Sequence, residues 1–297
     1  MEGAVLLVFV HGFKGDAKKT FGTFPERLAH ILHQTHPQWH IDAVVYPTYA
    51  TRGAMDRTVT ELVAWINSEV DARESSFGRQ CMVVLCGHSM GGMIALDAAL
   101  ALQSTPHAVR GVLAFDTPYL GVHPHVFKHR ISATYDTALK WGAVLAPLTG
   151  GIAARFAARN EEDASRRAAW IGAGTALAAG TAIAAGALFT RNDVLSDAYT
   201  WATDHLAFVG NLWDVDTLHA RLDESYRRAV PYHCFHTRLA ADARTFILPP
   251  PPDSAHVPHF TALDAAHARD EIEAHTGMFR ESNGAYYSMG LGTYSAY

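Results

Sequence analysis

The sequence predicts an α/β fold: a mostly parallel central sheet flanked by helices, carrying a helical insertion. Two observations predict it. Short, continuously apolar runs rich in β-branched residues, such as 4–10, 82–85 and 111–115, suit strands buried on both faces of a parallel sheet, and segments of helical period lie between them. The composition also shifts from 138 to 208, where long alanine- and glycine-rich stretches replace this alternation. A chain of 297 residues can bury one large core, so we read 1–137 with 209–297 as the core and 138–208 as the insertion.

Ala4 to Val10 is the first strand, a short, continuously apolar run rich in β-branched residues that leads into the turn His11-Gly12-Phe13. It lacks a basic leader, so a strand is expected rather than a secretory signal. Phe24 to Gln34 has helical spacing, with Pro25 fitting a first turn. Ile41 to Tyr46 is the next strand and Met55 to Val70 an amphipathic helix. His30, His33, His36 and His40 lack carboxylate or cysteine partners at ligand spacing, so no metal site is expected of them.

Met82-Val83-Val84-Leu85 leads into Cys86-Gly87-His88-Ser89-Met90-Gly91-Gly92 and then an apolar helix from Met93 to Leu102. That strand-turn-helix context gives a G-x-S-x-G pattern its meaning: a serine on so sharp a turn needs small residues two before and two after it. Its Oγ would stand at a helix N-terminus, where free N–H groups favour developing negative charge. Ser89 is therefore a candidate nucleophile. The turn His11-Gly12-Phe13 after the first strand resembles the one where esterases and lipases of the α/β-hydrolase class place one arm of the oxyanion hole, which implies the Phe13 amide as that arm and the Met90 amide as the other.

Gly111 to Phe115 is a further core strand, and Asp116 follows it at the edge where parallel sheets bind ligands. Pro231 to Thr237 and Thr245 to Leu248 read as the last two strands, followed by an extended exit at Pro249 to Pro252. Asp242 lies between those two strands and rivals Asp116 as a triad acid. His275 comes after the last strand and completes the chain order Ser, Asp, His, with His256, His259 and His267 competing for its role.

Within the insertion, the uncharged run Ala168 to Phe189 has the length of a membrane helix, but Gly172, Ala176, Gly180 and Ala184 form a stripe suited to close helix packing. A single crossing would put His233 to His236 on the wrong side of the membrane from its sheet. A cap or lid that can touch a membrane surface is the expectation.

A formal charge of −5 without long basic runs excludes the electrostatic footprint of a nucleic-acid binder. Cys81, Cys86 and Cys234 cannot complete a disulfide framework and read as buried free thiols of a reducing compartment. The expected location is intracellular, either cytoplasmic or peripherally attached to an internal membrane.

Taken together, Val8 to Phe13, Gly87 to Gly92, Phe115 to Gly121 and Glu273 to Phe279 resemble the serine-esterase and lipase branch of the α/β hydrolases, and the chain is similar to fungal members that are largely uncharacterised. The resemblance implies an α/β-hydrolase fold, Ser89 as nucleophile and His275 as base. Many relatives carry Gly-Thr-Pro where this chain has Asp116-Thr117-Pro118, so the resemblance leaves the acid open between Asp116 and Asp242. Asp116 is preferred because a lipase-like acid after this strand is known in the superfamily. The expected activity is cleavage of carboxylic esters of lipid or other hydrophobic acyl substrates through an acyl-enzyme, needing no cofactor and no metal. The alternatives are acyl transfer by the same residues, or a non-catalytic scaffold bearing a membrane- or partner-binding hairpin.

Overall fold

The computed structural model describes residues 3–12, 17–49, 55–103, 109–123, 125–126 and 215–285. They fall within the unit formed by Met1–Val126 and Leu212–Tyr297. The insertion expected at 138–208 lies outside the described residues.

Among the described residues, six strands pair in the order β2-β1-β3-β4-β5-β6, every neighbour parallel. They are β1 (Gly3–Val10), β2 (Trp39–Val45), β3 (Cys81–His88), β4 (Val109–Phe115), β5 (Tyr232–Leu239) and β6 (Phe260–Ala265). The helices are α1 (Ala17–Phe21), α2 (Phe24–Thr35), α3 (Met55–Phe77), α4 (Met90–Leu102), α5 (Val215–Arg227) and α6 (Glu271–Thr276).

Strand order explains where a site can form. The chain steps outward from β1 to β2, returns past β1 to β3, and then continues the other way through β4, β5 and β6. Connections on either side of that reversal leave on opposite faces of the sheet, which opens a crevice at the carboxyl ends of β1 and β3. Register aligns those ends: Val10 pairs with Gly87, His88 with Phe115, and Phe115 with Phe235.

Burial follows the sequence pattern. From Leu6 to Val10, β1 is shielded almost completely, as a central parallel strand requires. Helix α4 is apolar around most of its circumference and packs beneath β1, β3 and β4. Helix α3 buries one stripe at Thr58, Leu62, Ile66 and Val70. Its last two turns lack that stripe, which is why the apolar pattern ends at Val70 although the helix continues to Phe77, stopping before Gly78 at φ 61°. On one face of the sheet, Phe279 packs against Phe21, Phe24 and Phe115 with ring centroids 4.8–5.2 Å apart. These edge-on and tilted contacts fasten the segment after α6 to the sheet.

One expected strand is corrected. Thr245 to Leu248 makes isolated antiparallel bridges, Arg238 with Thr245 and Val122 with Ile247, and the sixth strand is Phe260–Ala265 instead. Four prolines after Leu248 cannot donate to a ladder, so the run cannot extend. β6 escaped notice because it is a half-exposed edge strand whose Thr261 and Asp264 interrupt the apolar signal.

Candidate active site

Ser89 occupies the turn between β3 and α4 at φ 55°, ψ −128°. A non-glycine residue in that region stores about 1–3 kcal/mol of strain, held here by the backbone on both sides. Its N–H donates to Phe115 O at 2.9 Å, and its carbonyl accepts from the Gly92 amide at 3.1 Å. The flanking glycines are required by close approach. A Cβ on Gly87 would run into the backbone of Gly91 and Gly92, and one on Gly91 would strike the carbonyls of Val10 and His11. Gly12, at the end of β1, faces the same turn: a Cβ there would lie 2.9 Å from that of Ser89.

Asp116 follows β4 with φ 48°, a left-handed conformation that aspartate tolerates better than most residues. Its amide donates to Phe235 O at 2.7 Å, and its carboxylate is fully buried. Oδ1 accepts from the Thr237 amide at 2.9 Å, while Oδ2 accepts from Thr237 Oγ1 at 2.9 Å and from His275 Nδ1 at 2.8 Å. Burial by itself pushes this carboxyl up, but the hydrogen bond from His275 and that from the Thr237 amide outweigh it and hold the group below the usual carboxylate range.

His275 sits in the last turn of α6, whose first turn is capped by Asp270 accepting from the Glu273 amide at 2.8 Å. Because Asp116 only accepts, Nδ1 carries the proton. Nε2 is then an acceptor, and Ser89 Oγ donates to it across 3.1 Å. Ser89 is half-buried.

The structure thus brings Ser89, His275 and Asp116 into one hydrogen-bonded chain. It does not bring Asp242 there. That carboxylate is exposed at the surface and paired with Arg244, whose Nε donates at 2.6 Å. A second Arg244 nitrogen bonds Glu271 Oε1 at 2.7 Å, and Glu271 is buried at the start of α6. Asp242 therefore belongs to a brace between its loop and α6. His256 is bonded elsewhere, to the Tyr232 hydroxyl at the amino end of β5 at 2.8 Å; His259 stacks on Tyr232. His267 lies in the turn after β6, its amide bonded to Asn283 O at 3.2 Å.

Of the two expected oxyanion donors, Met90 is the first residue of α4, where backbone N–H groups have no intrahelical acceptor. Phe13 lies outside the described residues. The turn preceding it is braced by Tyr49, whose hydroxyl donates to His11 O at 2.6 Å while its ring stacks on the His11 imidazole at 4.7 Å. Neither Tyr49 nor Thr237 carried a sequence signal, since each acts across a fold-dependent contact. All three cysteines are buried free thiols; burial raises Cys86 and Cys234, and raises Cys81 to about 11.

The fold is that of the α/β hydrolases. The chain belongs to the thioesterase-domain family, whose model matches residues 7–155, half of its length. No curated protein matches the sequence. Among solved structures, phospholipase PlaB from Legionella pneumophila is similar at 15% identity and a TM-score of 0.32, over 40% of this chain and 26% of its own. A soluble variant of monoglyceride lipase from Saccharomyces cerevisiae aligns at 18% identity and 0.32, over 50% of this chain and 44% of the lipase. The NocB thioesterase domain aligns at 16% identity and 0.34, over 98% of this chain and 95% of that one. This chain thus spans less than half the length of the phospholipase and the lipase. Among the described residues, no helix is long and apolar enough to cross a membrane.

Proposed function

We propose that the protein cleaves a hydrophobic acyl ester or thioester through a triad of Ser89, His275 and Asp116. The observation that carries this reading is the unbroken chain of two hydrogen bonds, 3.1 Å and 2.8 Å long, from the Ser89 hydroxyl through the imidazole to a buried carboxylate.

His275 Nε2 takes the Ser89 proton as Oγ attacks the acyl carbonyl. The imidazolium so formed is stabilised by Asp116, which stays ionised. The tetrahedral oxyanion is bound by the Met90 and Phe13 amides, each contributing about 3 kcal/mol to lowering the barrier. The imidazolium then protonates the departing alkoxide or thiolate, leaving Ser89 acylated. Water, deprotonated by the same imidazole, attacks the acyl-enzyme and releases the carboxylic acid. A hydrophobic acyl chain fits the apolar composition of 138–208.

The test is a panel of p-nitrophenyl esters and acyl-CoA thioesters of graded chain length, assayed with wild type and Ser89→Ala. Turnover rising with chain length, and lost in Ser89→Ala, is the expected result. Equal turnover by both proteins would overturn the nucleophile assignment, and a preference for acetyl substrates would overturn the hydrophobic one.

A further inference from the structure

We propose that Phe246 and His88 are positioning residues that clamp the His275 imidazole between two flat walls; the inference rests on the triad reading and adds to it what holds the base in register. Phe246 stacks on that imidazole at a centroid distance of 3.8 Å and an interplanar angle of 14°. His88 stacks on it at 4.7 Å and 29°. Two rings this close to one small ring cannot share a face without colliding, so they occupy opposite faces.

Each wall is itself fixed. His88 is buried at the end of β3, and its Nε2–H donates to the His275 carbonyl at 3.1 Å, so it holds the backbone as well as the ring of its neighbour. Phe279 closes over His88 edge-on at 5.5 Å. Phe246 is half-buried on the loop after β5, where its carbonyl accepts from the His123 amide at 2.8 Å. Two residues earlier, Arg244 bonds Glu271, one helical turn before His275, which ties the loop to the helix carrying the base.

The clamp answers a specific need. Helix α6 has only six residues, and its histidine stands in the last turn, where short helices fray. Rotation of the imidazole about χ2 would break the bond to Ser89 or the bond to Asp116. Walls on both faces restrict that rotation. The Phe246 face also attracts the imidazolium that forms in the transition state. His88 is kept uncharged by burial and by its neighbour, so it adds no repulsion to that cation.

The test compares Phe246→Leu and Phe246→Tyr on p-nitrophenyl butyrate, with histidine-selective NMR of each folded protein. Leu keeps the bulk and removes the aromatic face, so kcat should fall roughly five- to ten-fold with KM within about two-fold, while Tyr should retain near wild-type kcat. The His275 Hδ2 and Hε1 resonances, shifted upfield by ring currents, should move downfield in Leu and return in Tyr. Arg244→Gln, which frees the loop and leaves the ring, should reproduce part of both effects. Wild-type kcat and unmoved resonances in Phe246→Leu, or equal losses in Leu and Tyr, would overturn the clamp. The NMR readout needs no turnover. Wild-type activity in Ser89→Ala would therefore refute the triad, whereas unmoved resonances in Phe246→Leu would refute the clamp alone.

Discussion

Asp116→Asn is expected to lower kcat by about 10⁴-fold, while Asp242→Asn stays within about two-fold of wild type. The reason is a tautomer. Asp116 Oδ2 can only accept, so it fixes the proton of His275 on Nδ1 and leaves Nε2 free to receive the Ser89 proton. Thr237 already donates to both carboxylate oxygens, so whichever way an asparagine amide turned, its NH₂ would face a donor. Turned toward His275, that NH₂ would place the imidazole proton on Nε2, where it cannot act as base. Asp242 has no such partner. Its removal costs only an exposed bond to Arg244, and Glu271 keeps its own hold on that guanidinium. Steady-state kinetics of the two variants on one ester decide the matter, and equal, small losses in both would refute the acid assignment.

The second large effect concerns stability against pH and centres on His88. Burial, and next the charge of His275, lower its pKa from 6.5 to about 3. The folded protein therefore binds this proton only near pH 3, whereas the unfolded chain binds it near 6.5. Between those limits the unfolded state holds more protons, so stability rises with pH across the window and is lost as pH falls, at up to about 1.4 kcal/mol per unit. His88→Gln removes the titrating group and keeps an N–H donor for the His275 carbonyl. Relative to this variant, wild type should lose about 2 kcal/mol of unfolding free energy between about pH 7 and about pH 5. Urea titrations of both proteins measure that difference. Parallel pH dependences would contradict the neutral, buried state of His88.

How much of this was legible in the sequence depends on the range of the interactions involved. The nucleophile turn was readable because its constraints are local: Gly87 and Gly91 are needed by backbone within a few residues or by the adjoining strand, and both stand at fixed offsets from Ser89. β1, β3 and β4, with their continuous apolar runs, were readable for the same reason. β6 was not, because an edge strand shares its pattern with a loop, and the Thr245 to Leu248 run looked like a strand until its prolines were weighed. Two aspartates competed for one role because nothing in the chain near either says which will meet a histidine far along the sequence. Three-dimensional pairing supplies that information, through Phe235 and Thr237 of the neighbouring strand. The rings clamping His275 were invisible for the same reason: His88 reads only as a position inside the motif, and Phe246 as part of a strand.

The most direct measurement of the central claim is mass spectrometry of the protein after treatment with a fluorophosphonate. One adduct per chain, on the peptide containing Ser89, lost in Ser89→Ala and strongly slowed in His275→Ala, is the predicted result. Labelling that is absent in the folded wild type, or that survives unchanged in either variant, would contradict the account.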